Sequence, residues 1–422
     1  MKVSSAEHTL MVLFMELMCL TPLFIILGNI VPPAPIKIHF IALGVIFCIA
    51  IGILALHPKK KWVLYLILGV GLLQFLMPYP SIKNTIDLMF GPVVLFILLD
   101  ILFNQRLEKQ ALERYKRKFY NYLWIPVLIG VLQAFDIMPV TFWNADYINW
   151  AYFDDYKLPR PNGFLYHGSE LSIIIFFLAL AQFFRKGSGS FWMLLVFVVI
   201  AKLTLYKALF ASVIVLFLYY LFLVNPTIKT MKLLSRKQLI AYVSVVAVAS
   251  IGVLVVFFQS VHQQTGYYFP PQLLTGRGSI WNIYSDAINE YSIWNYLFGT
   301  GMGSGQELFK AYASPDNYYL LRVSPILKEA YDAHNALLSL FVNMGLAGIA
   351  FFAWGFRIIY QKVKTWKSDL NNGKLFFALA VIPVFTIGIT IPIFDMAIYW
   401  PCVGFLIYQW YFYSEENTVD AE

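Results

Sequence analysis

The chain has 422 residues, of which 60% are hydrophobic and only 13% charged, and its formal net charge is +8. Soluble globular proteins carry about 25% charged residues, so this composition excludes an ordinary soluble domain and indicates an integral membrane protein. The positive charge does not favour nucleic acid as a partner, because the basic residues form short runs between apolar segments, without an interleaved basic and aromatic stripe.

Apolar segments follow one another along most of the chain, and each is long enough for a transmembrane helix of about 20 residues. We predict twelve such spans, at approximately residues 9–30, 36–56, 62–78, 84–103, 119–141, 170–184, 190–205, 208–224, 238–258, 335–356, 374–393 and 396–413. The first lacks a small-residue cleavage site, which favours a retained helix over a signal peptide. The expected fold is all-α, with residues 1–422 forming a single integral membrane domain.

Strict alternation of these spans puts both termini in the cytoplasm. Five basic runs then fall on the cytoplasmic side: Lys59–Lys61, Arg106–Lys118, Arg185–Lys186, Lys229–Lys237 and Arg357–Lys374. An excess of Lys and Arg in cytoplasmic loops is the positive-inside bias of membrane proteins. Because hydropathy alone defined the spans, this agreement supports an even count and a multi-pass topology.

One long polar segment, residues 259–333, interrupts the apolar pattern and is predicted to be a large loop on the extracytoplasmic side. Within it, apolar residues of Ser279–Asn289 recur at helical spacing, which predicts an amphipathic helix lying on the membrane surface. The glycine-rich segment Gly299–Gly305 predicts a flexible turn where backbone can approach a ligand closely. The density of polar, basic and aromatic residues in this loop favours chemistry at the membrane surface.

His334 lies where the long loop meets the tenth predicted span. Its imidazole can reach water while its backbone lies at the positive end of a helix. A histidine there can accept a proton near neutral pH, and the free N–H groups of a helix start favour phosphate oxygens. The alternative is an interfacial histidine that caps the helix or faces solvent. Asn335 follows it and completes a polar pair at the helix mouth.

Four basic residues are predicted on the extracytoplasmic side, where the positive-inside bias disfavours them: Arg160, Lys207, Arg277 and Arg322. Guanidinium groups suit phosphate oxygens, so these residues are candidates for holding a lipid-linked pyrophosphate. Pairing with Asp, Glu or lipid headgroups is the alternative for each. Lys207 lies at a tight turn between two short spans, where its ammonium can point into a shared cavity.

Other polar residues near the spans give weaker signals. His167 and Glu170, at the entrance to the sixth span, can bind a sugar hydroxyl or orient a base, and can equally cap the helix. Charged residues also fall in or near spans: Glu16, Asp87, Asp100, Asp136, Lys202 and Asp395. Intramembrane charges tend to mark function, but these lack the paired spacing of a proton relay, which makes an enzyme a better prediction than a transporter.

Motifs for several other chemistries are absent from the sequence. It has no Walker-type phosphate loop, no His-Glu-x-x-His metal helix and no Gly-x-Ser-x-Gly nucleophile elbow. The three cysteines all fall in predicted spans and show no metal-type spacing. We therefore expect no metal and no cofactor, and a lipid-linked donor rather than a metal-bound nucleotide sugar.

The residues after the long loop resemble a known pattern. His334-Asn335, nine residues, then Gly345-Leu346-Ala347-Gly348 is similar to the His-(Asn/Ser/Gln)-x9-Gly-x-x-Gly pattern of the O-antigen ligase and O-antigen polymerase superfamily. Three further segments are similar to parts of that superfamily: Arg277–Trp281, Phe298–Ser304 and Arg160–Phe164. The resemblance covers approximately residues 150–360, and the order of many spans, a late loop and the histidine motif agrees with it.

The resemblance implies a polytopic, GT-C-like fold in the bacterial inner membrane, with a late periplasmic loop containing short interfacial helices. It implies metal-independent, inverting glycosyl transfer from an undecaprenyl-diphosphate-linked glycan to an acceptor hydroxyl on the periplasmic face. His334 would be the general base, and Arg277 and Arg322 would hold the diphosphate. Lys207 occupies a position where the family commonly has arginine, so the charge is kept and the bidentate fork is lost.

Our first prediction of function is a polymerase of lipid-linked oligosaccharide repeats of an O-antigen, capsule or exopolysaccharide. Its partners would be the lipid-linked glycan, the bilayer and a chain-length regulator protein. The first alternative is an O-antigen ligase that transfers the glycan to lipid A-core; the glycine-rich segment and Lys207 favour the polymerase. The second alternative is a polysaccharide-related transporter or flippase, which we expect to show paired repeats and broken helices that the sequence does not display.

Overall fold

The fold is described from a computed structural model of the full chain. It describes residues 5–30, 38–57, 60–74, 76–78, 82–141, 150–152, 157–165, 168–184, 189–220, 277–313, 335–363, 396 and 398–419. The predicted spans at 238–258 and 374–393 lie outside the described residues.

Helices make up nearly all of the regular structure in the described residues. In chain order they are α1 (Ser5–Ile30), α2 (Ile38–Leu56), α3 (Lys61–Gln74), α4 (Ile82–Phe103), α5 (Lys109–Ala134), α6 (Gly168–Ala181), α7 (Gly189–Leu203), α8 (Lys207–Tyr219), α9 (Arg277–Asn289), α10 (Ile293–Phe298), α11 (Gly305–Tyr312), α12 (Ala336–Val363) and α13 (Tyr399–Val419). A 3-10 turn, Gln182–Phe184, continues α6. The helical prediction is confirmed over these residues.

A short two-stranded ribbon departs from the all-α prediction. Strand β1 (Trp150–Tyr152) pairs antiparallel with β2 (Lys157–Pro159), so that Trp150 lies opposite Pro159. Strands of three residues are too short to produce a recognisable alternation of apolar and polar residues, which is why the sequence did not reveal them. The second strand leads directly into Arg160.

Two described helices, α1 and α12, are long and apolar enough to cross a membrane, with 26 and 28 residues. Shorter apolar helices accompany them, at Phe40–Leu56, Lys61–Leu73, Met89–Phe103, Ser169–Ala181, Phe191–Leu203 and Lys207–Leu218. Each of these overlaps a predicted span. The fifth predicted span is too long, because α5 ends at Ala134 and Asp136 adopts a positive φ of 57°. The count of twelve spans stays a prediction.

The core of the bundle is built around α6 and α13. Their apolar residues are buried on every side, as expected for helices that are hydrophobic all round. On α13, Phe405 stacks on Phe119 of α5 with ring centroids 4.2 Å apart, and the Tyr408 hydroxyl donates to the Leu98 carbonyl of α4 over 2.7 Å. Gly404 permits this approach, since a Cβ there would lie 2.6 Å from Leu98 Cδ1.

One end of the bundle holds a buried ionic cluster. Arg106 donates from Nη1 to Glu7 Oε1 over 3.1 Å, and its Nε lies 2.8 Å from Asp100 Oδ2. Its Nη2 lies 2.6 Å from His57 Nε2, and Lys60 forms an ion pair with Asp100. Burial, reinforced by the charge of Arg106 and partly opposed by Glu7, lowers the pKa of Lys60 to about 8. Two cations and two carboxylates from distant parts of the chain therefore neutralise one another.

The opposite end of the bundle contacts the loop that contains Phe164. There, Asn29 Nδ2 at the end of α1 donates to the Phe164 carbonyl over 3.1 Å. Because Glu7 and Asn29 lie at the two ends of α1, the ionic cluster and this loop lie at opposite ends of the bundle. This agrees with the alternation predicted for the first five spans, which separates Glu7 and His57 from Asn29 and Phe164.

Three of the charged residues within predicted spans contact a neighbouring element of the fold. Asp100 belongs to the ionic cluster, and Glu16 on α1 forms an ion pair with Lys118 on α5. Lys202 Nζ lies 5.4 Å from the centroid of the Phe210 ring. In the part of the chain that the structure describes, these side chains take part in contacts between elements. Such contacts explain the charges without a proton relay.

Candidate functional site

The loop from Arg160 to Leu165 is held against the end of α5 by one side chain. Gln133 Oε1 accepts hydrogen bonds from the backbone N–H groups of Asn162 and Gly163, both at 2.9 Å. Its Nε2 donates to the Pro139 carbonyl over 3.0 Å. Gln133 is only 3% exposed, so it satisfies backbone groups that water does not reach. Gln133 therefore ties the loop to the end of α5, and Asn29 ties it to α1.

The sequence of the loop produces its turn. Asn162 accepts a hydrogen bond through Oδ1 from the backbone N of Phe164 over 3.0 Å, which is an Asx turn. Gly163 has a φ of +65°, and a Cβ there would clash with the Pro126 carbonyl, so glycine is required. The Pro-Asn-Gly-Phe part of the motif is thus structural, and it holds Arg160 in place.

Arg160 stacks on the ring of Tyr206. The guanidinium carbon lies 4.7 Å from the ring centroid, a cation–π contact between the ribbon end and the α7–α8 turn. Tyr206 is buried, and Arg160 Nε is buried with no hydrogen-bond partner among the described residues. Stacking therefore fixes the position of the guanidinium, while its Nε donor is not used by any of the described residues.

Lys207 directly follows Tyr206 in the chain, at the turn between α7 and α8. Thr204 Oγ1 donates to the Ala201 carbonyl over 2.8 Å, and Leu205 adopts a φ of 59°, which reverses the chain within a few residues. Lys207 is the exposed first residue of α8. A cation at a helix N-terminus is electrostatically unfavourable by itself, whereas an anion there meets both the lysine and the free N–H groups.

We refer to these two cations as the Arg160–Lys207 pair. Arg160 stacks on Tyr206, and Lys207 follows that tyrosine in the chain. Neither cation forms an ion pair with a carboxylate within the ranges that the structure describes. Those ranges also contain no group of three or more His, Cys, Asp or Glu that could hold a metal ion. The arrangement suits an anion.

The glycine-rich segment is docked on α12 by its backbone, so the prediction of a flexible turn is wrong. Thr300 donates from its backbone N to the Val342 carbonyl over 2.9 Å, and its hydroxyl donates to the same carbonyl over 3.1 Å. Gly303 N donates to Asn343 Oδ1 over 2.8 Å. The glycines allow two backbones to approach, which sequence alone does not distinguish from flexibility.

Gly345 breaks α12 at the docking point. Its φ of 60° and ψ of −157° belong to a region that essentially only glycine adopts. A Cβ there would lie 2.6 Å from Gly299 N and from the Leu297 carbonyl oxygen. The break also makes the Val342 carbonyl accessible to Thr300. The first glycine of the Gly-x-x-Gly motif is therefore required by the path of the chain.

The amphipathic helix predicted at 279–289 forms, as part of α9, but protein covers its apolar face. Ile283, Tyr284 and Ala287 pack with Leu308 of α11 and Val342 of α12 in a separate apolar cluster. The Tyr284 hydroxyl donates to the backbone carbonyl at position 305 over 2.8 Å. The prediction that this helix lies on the membrane surface is therefore wrong, because periodicity reveals an apolar face and not what covers it.

Asn335 caps α12. Its Oδ1 accepts hydrogen bonds from the backbone N atoms of Leu337 and Leu338, both at 3.0 Å, as an N-cap residue does. The helix start is thus fixed directly after position 334.

The other predicted site residues are placed as follows. Glu170 is half-buried in the first turn of α6, and Arg277 begins α9 and is described by its backbone alone. His167, Arg322 and His334 lie outside the described residues. Described contacts join Arg160 to the Tyr206–Lys207 turn, whereas Glu170 and Asn335 belong to other helices.

Two residues of the site were missed by sequence reasoning. Gln133 holds the loop of Arg160, and Tyr206 holds the guanidinium itself. A lone amide near the end of an apolar helix was a usable signal for Gln133, since a buried amide requires partners. Tyr206 gave no signal beyond its position beside Lys207.

Comparison with known proteins bears on the second half of the chain. Residues 189–353 match the family model described as O-Antigen ligase. The match spans the α7–α8 turn, the glycine-rich segment and the break at Gly345. No curated protein and no solved structure matches the chain. Through residues 189–353 the chain resembles the O-antigen ligase and polymerase superfamily, which confirms the likeness predicted from the histidine motif.

Proposed function

We propose that this chain is a membrane glycosyltransferase that polymerises lipid-linked oligosaccharide repeats. The donor is a glycan on undecaprenyl diphosphate, and the acceptor is a hydroxyl of another lipid-linked repeat at the periplasmic face of the bacterial inner membrane. The family match and the apolar helices support a membrane protein of the O-antigen ligase and polymerase type.

The observation that carries this proposal is the Arg160–Lys207 pair. Tyr206 and Lys207 lie at the N-terminus of α8 inside the matched family segment, and Arg160, which precedes that segment, stacks on the buried tyrosine. Neither cation has a carboxylate partner in the described residues. A diphosphate would gain charge-assisted hydrogen bonds from the guanidinium, the ammonium and the N–H groups of α8. Arg277 and Arg322 are further candidates for the same task.

The proposed reaction needs positioning, charge stabilisation and one proton acceptor. The acceptor oxygen forms a bond to the anomeric carbon as the bond from that carbon to the diphosphate oxygen breaks, with inversion. The hydroxyl proton passes to the His334 imidazole, and the leaving diphosphate keeps the electron pair and is neutralised by the cations. None of these steps requires a metal ion. The Asn335 cap supports the role of His334, because it fixes the helix start beside it.

An O-antigen ligase is the second candidate, and the family match is equally compatible with it. It would use the same donor and cations and differ in transferring the glycan to lipid A-core. A transporter or flippase is third. The break at Gly345 is a feature of transporter helices, but here the docked glycine-rich segment accounts for it.

The test is turnover by purified protein with synthetic undecaprenyl-diphosphate repeats and EDTA present, with products separated by size. We expect longer glycans without added metal. Transfer only to lipid A-core would instead identify a ligase. The absence of any covalent product with either acceptor would contradict both and favour transport.

The role of His334 is tested by His334→Ala, with His8→Ala as a matched control at the exposed start of α1. We expect the first variant to insert into membranes and lose transfer, and the second to retain it. Near-normal transfer by His334→Ala would remove this residue as the base.

A further inference from the structure

The outward face of α5 changes from cationic to apolar along its length. Arg114 and Arg117 are both exposed, and the side chain of Arg117 is 74% exposed. Leu128, further along the helix, is 58% exposed. Arg117 and Leu128 are about three helical turns apart, so they lie on the same face of α5. One continuous face therefore carries two guanidinium groups near the start of the helix and an apolar side chain beyond them.

The opposite face of α5 packs inside the bundle, which fixes the direction of the exposed one. Phe119 is fully buried, where it stacks on α13. Lys116 is buried as well, and its Nζ lies 4.7 Å from the centroid of the Phe412 ring. The cations of this part of α5 therefore differ in role, because the fold uses Lys116 internally and presents the two arginines to its surroundings.

Both arginines keep hydrogen-bond donors for a ligand. Arg114 forms no ion pair with a carboxylate in the described ranges. Arg117 contacts Glu113 through Nε over 3.1 Å, and its two terminal nitrogens have no partner among the described residues. Residues three positions apart are neighbours on a helix surface, so the two guanidinium groups can reach one phosphate. Guanidinium groups suit the geometry of phosphate oxygens.

The depth of the arginines follows from the length of α5. Its part without charged side chains, residues 119–134, is about 24 Å long at about 1.5 Å per residue, against a hydrocarbon thickness of about 30 Å. Such a short segment is accommodated by local thinning of the bilayer and by flanking cations that extend to the headgroups. Arg117 and Arg114 lie about 3 and 8 Å beyond this part, and the headgroup region extends roughly 5–8 Å beyond the hydrocarbon. Both arginines therefore lie at the depth of lipid phosphates.

We propose that Arg114 and Arg117 bind the phosphate of an anionic phospholipid, in the leaflet at the ionic-cluster end of the bundle. Because α5 begins shortly after Arg106, both arginines lie at that end. Anionic headgroups attract cations that flank a membrane span, and each cation strengthens the attraction several-fold. The proposal depends on the chain being a membrane protein and not on the reaction assigned above.

The continuity of the exposed face favours a lipid over a protein as the occupant. Acyl chains cover the apolar part at Leu128, and the phosphates of the same lipids lie next to the cationic part. One molecule of phospholipid thus matches both parts of the face. Its binding holds the start of α5 at a fixed depth in the membrane.

The test uses a bimane fluorophore on Gln110→Cys, one turn before Arg114 on the exposed face, in a Cys48→Ser background. Cys19 and Cys402 are buried and stay unlabelled. The protein in nonionic detergent is titrated separately with dioleoylphosphatidylglycerol, with dioleoylphosphatidylcholine and with inorganic phosphate.

The variant to compare is the Arg114→Gln, Arg117→Gln double substitution. The matched control is Lys61→Gln, Arg357→Gln, which removes the same charge from exposed positions on α3 and α12. Bimane fluorescence gives the midpoint of each titration.

We expect a saturable response to the phosphatidylglycerol alone, with a midpoint roughly 10- to 30-fold higher in the double arginine variant and unchanged in the control. Equal midpoints in the arginine variant and the wild-type protein would overturn the proposal. An equal response to phosphatidylcholine or to inorganic phosphate, or no response to any of the three, would overturn it too. Arg114→Gln alone should raise the midpoint about 3- to 5-fold, and it replaces the double variant if that one fails to fold.

Discussion

The two ends of the bundle differ in whether their cations are paired with carboxylates. In the ionic cluster, Arg106 lies 3.1 Å from Glu7 and 2.8 Å from Asp100, and each of these side chains is about nine-tenths buried or more. At the other end, the described residues give Arg160 an aromatic ring and Lys207 a helix N-terminus, and no carboxylate.

This difference separates charges that hold helices together from charges that can take an anion from outside. A buried cation that is already paired with internal carboxylates has no charge left to neutralise a ligand. Removing one member of such an ion pair leaves the other charge buried and uncompensated. A cation stacked on a ring keeps its hydrogen-bond donors. The two ends of the bundle should therefore respond differently to substitution.

The largest expected effect is at the ionic cluster. Arg106→Ala leaves Glu7 and Asp100 buried without their shared partner, so the free energy of unfolding should fall by about 3–5 kcal/mol. Chemical denaturation in detergent measures it. Arg117→Ala is the control, because that side chain is 74% exposed and pairs with Glu113 on the surface, and it should change stability by less than about 1 kcal/mol. Equal losses in the two variants would contradict the assignment.

Gln133→Leu tests how the other end is built. It leaves the N–H groups of Asn162 and Gly163 buried without an acceptor, which should cost about 2–4 kcal/mol of unfolding free energy. Gln182→Leu is a matched control, because Gln182 is also buried but its Oε1 has no partner among the described residues. The control should cost less than about 1 kcal/mol. A small loss for Gln133→Leu would mean that the loop is held by something else.

Gly345→Ala tests the docking of the glycine-rich segment. The strained backbone and the collision with Gly299 should cost roughly 2–3 kcal/mol. Gly355→Ala on the same helix is the control, because nothing lies within 4 Å of a Cβ there. That variant should be neutral or stabilising by up to about 1 kcal/mol. Similar stabilities for the two variants would rule out the close backbone contact.

Arg160→Ala should affect donor use rather than folding. Loss of charge-assisted hydrogen bonds worth about 1.5–3 kcal/mol predicts a roughly 10- to 100-fold lower kcat/KM for the lipid-linked donor. Arg160→Lys should recover only part of this, because the fork and the stacking are lost. The exposed Lys310→Ala serves as control. Unchanged kinetics in Arg160→Ala would remove it from the donor site.

The last prediction concerns the pH dependence of stability. The folded pKa of Lys60, about 8, lies below its ordinary value of 10.5. The unfolded chain therefore binds more protons between these values, so this lysine makes stability rise with pH from about 8 towards 10.5. Thermal unfolding across that range should show the rise in wild type and a flatter profile in Lys60→Met. Identical profiles would show that Lys60 does not titrate in this window.

Sequence alone predicted the features that depend on local pattern. Apolar runs predicted the helices, and the motif at His334 predicted the likeness to the O-antigen ligase and polymerase superfamily. Contacts between distant segments were not predictable: nothing in the sequence joins Gln133 to Asn162, or Arg106 to Glu7. The apolar stripe of α9 correctly predicted a helix but not what covers its apolar face. A helix packed against protein and a helix lying on a lipid surface both need apolar residues along one face, so their sequences look alike.

We propose that the Arg160–Lys207 pair binds a lipid-borne diphosphate. Its most direct test is the affinity of a short-chain polyprenyl diphosphate for the wild-type protein and for the Arg160→Ala, Lys207→Ala double variant in nanodiscs, with EDTA present. We predict that the double variant binds at least about 100-fold more weakly, since two charge-assisted contacts are lost, while Arg117→Ala binds as wild type does. Equal affinity of the double variant and the wild-type protein would show that these two cations do not bind the diphosphate.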